Sequence, residues 1–482
     1  MNNYSQNILI RTFFNALVLT AIFFINPFGL RTSTEKYSED LVIGLLSPWY
    51  PEKFQNEVTI ILLDDFFIEE YGKHYPVDYS DLKQILKVIG HYQPKAVFFD
   101  LLQHYEHSDG LDRWLQQIEK SDFPVYMASS PAFDTQDELN SPDSLRYKLK
   151  KHKAEFTAVS WFGYQHYYPL LIATEQDQQT TSNSTAALSL FREWCEKTPT
   201  KCQYTPEELG RNGLFQNAMV VRWSNTAVPE QENFLNLTEG CQDNTESKYT
   251  HLFSSALSHF EHGFSNYSKR KEQQRSRCFH LLTLTAASLF KPAAMDSESL
   301  RKALTGRIVV VGYNLIGGPD AVQSPLHGKL PGVFFHAMAL DNLINLGDAY
   351  WHVPENIFGD ISISRCFEGL LQGLVLWLVF TYRYSHLERR RESLRDGLLC
   401  LLCLSLVSFL LVMISIRYLK LGPMNWFALA AVVSLAIPTF LYHKLIEIKL
   451  AIIKKWQRED RPPQADGPEM KASEGEGYEN AV

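Results

Sequence analysis

The sequence predicts an α/β extracytoplasmic domain with a mainly parallel sheet, carried by four transmembrane helices, one before it and three after. Three observations lead there. Four apolar segments, at 13–30, 361–382, 398–416 and 423–442, each approach the roughly 20 residues that cross a hydrocarbon core of about 30 Å. Lys and Arg crowd beside particular ends of these segments. Between the first and second segments, strand-like and helix-like apolar patterns alternate, which is the grammar of βαβ units.

Orientation follows from the positive charges. The loop 383–396 carries Arg383, Arg389, Arg390, Arg391 and Arg395, and the segment 443–482 carries Lys444, Lys449, Lys454, Lys455 and Arg458. Positive charge close to a span resists translocation, so both regions belong in the cytoplasm. An even number of spans then puts residues 1–12 in the cytoplasm too and the body, 31–357, outside. The turn 417–422 also falls outside, with Arg417 and Lys420 as a small charge against the rule. The stretch Asn26-Pro27-Phe28-Gly29-Leu30 offers no small-x-small cleavage site, so the first segment reads as an uncleaved anchor. The arginine loop, Arg389 to Arg391 above all, is expected to touch anionic membrane lipid, with partner docking as the sharper reading. Leu445, Ile448, Ile452 and Trp456 share one helical face, suited either to the membrane surface or to a partner helix. From Arg461 onward the Pro/Gly/Glu-rich composition predicts disorder.

Charged residues make up 21% of the chain and the mean hydropathy is −0.18, so an ordinary water-soluble body must offset the apolar spans. That body, of roughly 325 residues, is long enough for one large domain or two smaller ones. A net charge of −8 and the lack of a basic stripe argue against nucleic acid as a partner. Four of the seven cysteines, Cys195, Cys202, Cys241 and Cys278, fall in the body, where an oxidising compartment favours disulfides. Three pairings exist; Cys195–Cys202 with Cys241–Cys278 is expected because both close local loops, against an alternative of four free thiols.

The elements follow in order. Val58-Thr59-Ile60-Ile61-Leu62-Leu63 is a continuous apolar, β-branched run, as in a strand buried on both faces, and Asp64 and Asp65 end it. Asp78 or Ser80 can cap a helix to about His91, with Leu82, Ile85, Leu86 and Ile89 on one face. Pro94 stops it, and 95–100 is the next strand. A helix at 110–119 leads to a strand at 125–128, so two parallel strands with a helical crossover are in place. Residues 175–277 are polar, rich in Ser, Thr, Asn and Gln, and read as an insertion with surface loops whose one strand is 218–223. Residues 279–290 read as an apolar helix, 307–312 as a buried strand, and 333–345 as a helix opened by Pro331-Gly332.

Several blocks together resemble the type-two CHASE sensor domain: 58–65, Pro94-Lys95-Ala96-Val97-Phe98-Phe99-Asp100, 304–312, Asp320 with Ser324-Pro325, and 331–343. The membrane plan is similar as well. The resemblance, over about residues 36–351, implies a periplasmic sensor in a bacterial inner membrane, in a family whose kinase or cyclase usually follows the last span. Here 40 residues follow Tyr442, too few for a catalytic domain, so a separate cytoplasmic effector is the expected partner, and a homo-oligomer is compatible with that arrangement.

Ligands of open α/β sheets bind at the carboxyl ends of strands. Asp64, Asp65 and Asp100 end strands, and Gly312, Gly317, Gly318 and Asp320 occupy the end of another and its loop, so these seven are the candidate ligand-binding residues. The competing reading makes the aspartates helix or turn caps and the glycines mere permissive backbone. His104, His107 and Asp109 could ligate a metal, but a loop of surface histidines is the preferred reading; His327 and His336 read as a loop residue and a packed helix residue. No Ser/His/Asp order, phosphate-binding loop or zinc-protease motif is present, so no enzyme, cofactor or metal is expected. Two other classes stay open: a tethered periplasmic hydrolase using the aspartates, and a non-catalytic scaffold of an envelope or defence complex.

Overall fold

The computed structural model describes residues 30–353 apart from 131–140, 162–165, 177–178, 211–213, 225, 235–278 and 319; beyond that range it describes 356–358, 361–362 and isolated positions. The predicted spans (isolated positions apart), Arg389 to Arg391, and the Leu445, Ile448, Ile452, Trp456 face lie outside the described residues, as does the Cys241–Cys278 pair. Among the described residues no helix is long and apolar enough to cross a membrane.

Helix α1 (Leu30–Leu46) leads into β1 (Val58–Asp64), the strand expected from its unbroken apolar run and buried along all but its last residue. The short α2 (Asp65–Glu70) follows, then α3 (Tyr79–His91), whose buried Leu82, Ile85, Leu86 and Ile89 are the predicted stripe. Next come β2 (Ala96–Asp100), α4 (Leu111–Glu119), β3 (Val125–Ser129), α5 (Leu145–Lys151) and β4 (Ala154–Ala158). A hairpin of β5 (Leu171–Gln176) and β6 (Gln179–Ser184) precedes α6 (Ala186–Lys197) and α7 (Pro206–Gly210). After β7 (Met219–Val220) and β8 (Leu282–Thr285) come α8 (Ala287–Phe290), α9 (Glu298–Leu304) and β9 (Ile308–Asn314). The hairpin β10 (Ala321–Ser324) and β11 (Gly328–Pro331) ends at α10 (Gly332–Leu346), followed by β12 (Trp351–His352).

Six strands form one all-parallel sheet in the order β4-β3-β2-β9-β1-β8. Because β9 inserts between β1 and β2, both of its neighbours come from the far end of the sequence. Parallel sheets are covered on both faces, which explains why β1 and β9 carry no polar alternation. One face is covered by α3, α4, α8 and α9 against Ile61, Leu63, Val97, Phe99, Val309 and Val311. The other is covered by α10, α6 and the end of α1 against Ile60, Leu62, Phe98, Ile308 and Val310.

Three expectations are corrected. Residues 279–290 are not one helix: Leu282-Thr283-Leu284-Thr285 is β8, and only Ala287–Phe290 is helical. The Leu/Thr alternation has a period of two, and pairing with β1 outweighs the helical pattern around it. The carboxamide of Gln231 covers the other side of this edge strand, donating to Thr283 O at 2.5 Å and accepting from its N–H at 2.8 Å. Residues 218–223 supply only β7, which pairs antiparallel with β12 away from the main sheet. The region 175–277 is not solely an insertion, because α6 inside it is core: Leu188, Leu190, Phe191 and Trp194 are buried against the sheet face that α10 covers. Its last turn is tied to the following loop by the Cys195–Cys202 disulfide, one of the two expected bonds.

Candidate functional site

The sheet opens where neighbouring strands send their chains to opposite faces. Strand β2 continues to α4 on one face, while β9 continues to α10 on the other. In open α/β sheets such a reversal is where ligand crevices form, and the strand ends that meet at it carry Asp100 and its register partner Gly312. Ala96 and Phe98 point to the α10 face and Val97 and Phe99 away from it, so strand alternation directs Asp100 under α10.

Asp100 keeps 8% of its side chain exposed, and its Oδ1 stands 3.8 Å from His336 Nε2, too long for a hydrogen bond. Burial, and then the negative charge of Asp320, push its carboxyl well above the usual carboxylate range. His336 stands on the second turn of α10; its Nδ1 is 2.8 Å from the Tyr168 hydroxyl, which also accepts the Ala187 N–H at the start of α6 at 3.0 Å. Burial pulls the imidazole down to about 3, so it is neutral at any ordinary pH. Trp161 packs edge-on to both rings, with centroids 5.1 Å from Tyr168 and 6.0 Å from His336. At the exposed mouth, Asp320 turns its carboxyl group in against Gly332, where burial raises its pKa and the Gly332 N–H, the first of α10, partly offsets this. A Cβ at Gly332 would lie 2.4 Å from Asp320 Oδ1, so only glycine admits this approach.

The seven predicted residues separate into groups. Asp320 lies near enough to Asp100 for its charge to raise the Asp100 pKa, and Gly312 is the register partner of Asp100 and offers no side chain. Gly312 serves packing: Val333 of α10 sits where its Cβ would be. Asp64 is a cap, accepting the Phe67 N–H at 2.9 Å and the Thr285 hydroxyl at 2.6 Å. Asp65 accepts the Ile316 N–H at 2.9 Å and so holds the loop after β9. Gly317 takes a left-handed φ of 80° in that loop, and Gly318 closes it by donating to Leu315 O. His107 braces a loop, with Nε2 3.0 Å from Val77 O and its ring 4.4 Å from Tyr79. Among the described residues no group of three or more His, Cys, Asp or Glu side chains is arranged to hold a metal ion.

His336, Tyr168 and Trp161 belong to the crevice and were not among the candidates. The one available signal was His336 at the start of a helix that follows a glycine-rich strand end; nothing local marks Tyr168 or Trp161.

An isolated carboxyl group under a helix predicts a measurable pH effect. In the folded state Asp100 holds its proton to higher pH than in the unfolded chain, so folding loses stability as pH rises from the ordinary carboxylate value through the raised one. Asp100→Asn removes that loss. Stability at pH 7 is expected to rise by about 1–3 kcal/mol, with the gain shrinking toward pH 4. Thermal unfolding at the two pH values checks it, and a lower midpoint for the variant at pH 7 contradicts it.

In open parallel α/β sheets, ligands bind at the carboxyl ends of the strands, where this domain carries its acidic side chains. The CHASE2 domain family matches residues 16–380, most of the chain, and the chain belongs to that family. It is a family of extracytoplasmic sensor domains. No curated protein and no solved structure matches the chain.

Proposed function

We propose that this protein is a transmembrane signal sensor that binds a small extracytoplasmic ligand in the Asp100 crevice and passes the event to a cytoplasmic effector. The carrying observation is the buried pair of Asp100 and His336, which face each other across 3.8 Å without a hydrogen bond between them. Such a pair is costly to keep unless something else uses it.

Two routes lead away from the crevice. Tyr168 touches His336, and the two residues before it hold α1: His166 Nε2 is 3.2 Å and Tyr167 Oη 3.3 Å from Glu39 Oε2. In the sequence, helix α1 directly follows the first predicted span. Helix α10 carries His336 near one end and Asp341 and Asn342 further along, where both meet the Tyr50 hydroxyl, before β12 leads toward the second predicted span. Ligand binding would shift the balance between two packings of these helices, by as much as its affinity differs between them. The four-span topology is supported by Lys420 of the 417–422 turn: its Nζ is 3.5 Å from Asp348, and its carbonyl accepts the His352 N–H at 2.9 Å. That contact suits a turn on the same side of the membrane as the body.

A hydrolase built on Asp64 is less well supported, because the carboxylate is already committed to a cap and to Thr285. The test is purification of the full chain in mild detergent from its native membrane, wild type beside Asp100→Asn. A reproducible cytoplasmic partner whose recovery changes about threefold or more between the two is expected. No partner in either preparation would sink the reading.

A further inference from the structure

We propose that the cavity at the carboxyl-terminal end of α10 is a second ligand site, which takes a compact aromatic carboxylate. It is separate from the Asp100 crevice and does not depend on it. Its α10 wall starts at Leu343, roughly 10 Å beyond His336 along the helix at about 1.5 Å per residue.

Three segments enclose about 220 Å³: the stretch between α1 and β1, the end of α6 with its following loop, and the last turn of α10. An apolar cavity of about 150 Å³ admits a benzene ring, so one ring with a short substituent fits here. Phe54, Phe191, Trp194 and Tyr204 give the space an aromatic wall. Trp194 lies near-parallel to Phe191 with centroids 6.0 Å apart, and Phe54 packs edge-on to it at 5.6 Å. Two features seat the loop over the helix end. The Cys195–Cys202 disulfide ties it to α6, and Gly347 leaves room for it. A Cβ at Gly347 would lie 2.1 Å from Gln203 Nε2 and 2.3 Å from Tyr204 Oη.

Charge selects the ligand. Lys53 and Lys201 line the cavity, and among the described residues no Asp or Glu does. Lys53 holds its ammonium group 4.7 Å from the Phe54 ring centroid, and among the described residues no carboxylate pairs with it. Lys201 reaches to Glu57 Oε1 at 2.5 Å, but that carboxylate also accepts from Lys95 and, at 3.0 Å, from Trp194 Nε1. One carboxylate therefore serves two ammonium groups, and Lys53 adds a third. Asp348, next to Gly347, is already engaged by Lys420 and by the Tyr204 hydroxyl. A ligand anion supplies the counter-charge, and its ring covers the aromatic wall. A bare inorganic anion would leave that wall against water, a neutral ring would leave the positive charge unanswered, and a cation would be repelled.

The test uses the full chain in non-ionic detergent micelles at pH 7. Sodium benzoate is the probe, with sodium acetate, benzyl alcohol and benzylammonium chloride as comparators. Titration calorimetry reads affinity, and thermal unfolding reports whether each variant is folded. Benzoate is expected to bind saturably, at least about tenfold tighter than any comparator. Lys53→Met keeps the apolar stem and is expected to weaken benzoate about threefold or more. Leu346→Trp fills the cavity and should abolish binding, while Asp100→Asn leaves it unchanged. If Leu346→Trp does not fold, Lys53→Met decides alone. Affinity no better than that of acetate (an adventitious anion only) or of benzyl alcohol overturns the proposal, as does binding unchanged in both cavity variants. Loss in Asp100→Asn with retention in Leu346→Trp also overturns it, since benzoate would then sit at the crevice.

Discussion

Gly312→Ala is expected to destabilise the domain by about 2–3 kcal/mol, a typical cost of overpacking a closed core. The added Cβ would lie 2.7 Å from Val333 Cβ and 2.8 Å from its Cγ2. Val333 is anchored at the start of α10, and Gly312 is flanked by Leu62 and Asp100 in the sheet, so neither side can yield cheaply. The relief available is to lift α10 off β9, which also draws His336 from Asp100. Gly317→Ala is the control: that glycine has a φ of 80° but nothing within 4 Å, so only backbone strain of about 1 kcal/mol is expected. Denaturant midpoints of the two variants decide the matter. Equal losses would show that the close approach of α10 and β9 carries no special cost.

The second large effect lies at the other end of α10. Asp341 is fully buried; its Oδ2 accepts the Tyr50 hydroxyl at 2.6 Å and stands 3.5 Å from His280 Nε2, while Oδ1 accepts Asn345 Nδ2 at 3.1 Å. His280 Nε2 has no hydrogen bond of its own, so this carboxylate is its nearest compensation. Asp341→Ala leaves the Tyr50 hydroxyl without its acceptor and His280 Nε2 without its ion-pair partner, while Asn345 Nδ2 keeps the Asp341 main-chain carbonyl, and it is expected to cost about 3–5 kcal/mol. Tyr50→Phe removes one hydroxyl and keeps the ring, and should cost about 1–2 kcal/mol. Urea unfolding of both variants tests the ranking. A smaller loss for Asp341→Ala than for Tyr50→Phe would mean that the network is not what holds α10 to the segment after α1.

Much of the scaffold was legible because its signals are local. A β-branched run buried on both faces identifies β1 and β9, and a period of 3.6 identifies α3, with Leu82, Ile85 and Leu86 inside. Strand β8 was missed for the opposite reason: four residues of Leu and Thr acquire their state from β1 and Gln231, which are remote in sequence. Helix α6 was lost in a polar region, although its own residues are apolar at helical spacing, because the composition around it hid the stripe.

The candidate site shows the same division. That aspartates end the strands could be read directly, and the charge of Asp320 does reach Asp100. Which aspartates are spent as caps could not be read, since Asp64 and Asp100 differ only in whether a neighbour donates to them.

By itself the sequence determined the α/β class, the buried strands, the principal helices and the family, because hydrophobic periodicity and block motifs are properties of neighbouring residues. The tertiary structure alone decided that β9 inserts between β1 and β2, and that Tyr168 and His336, 168 positions apart, close over Asp100. Strand order and helix docking depend on which apolar faces bury each other once the chain has folded back. No local spacing encodes that choice.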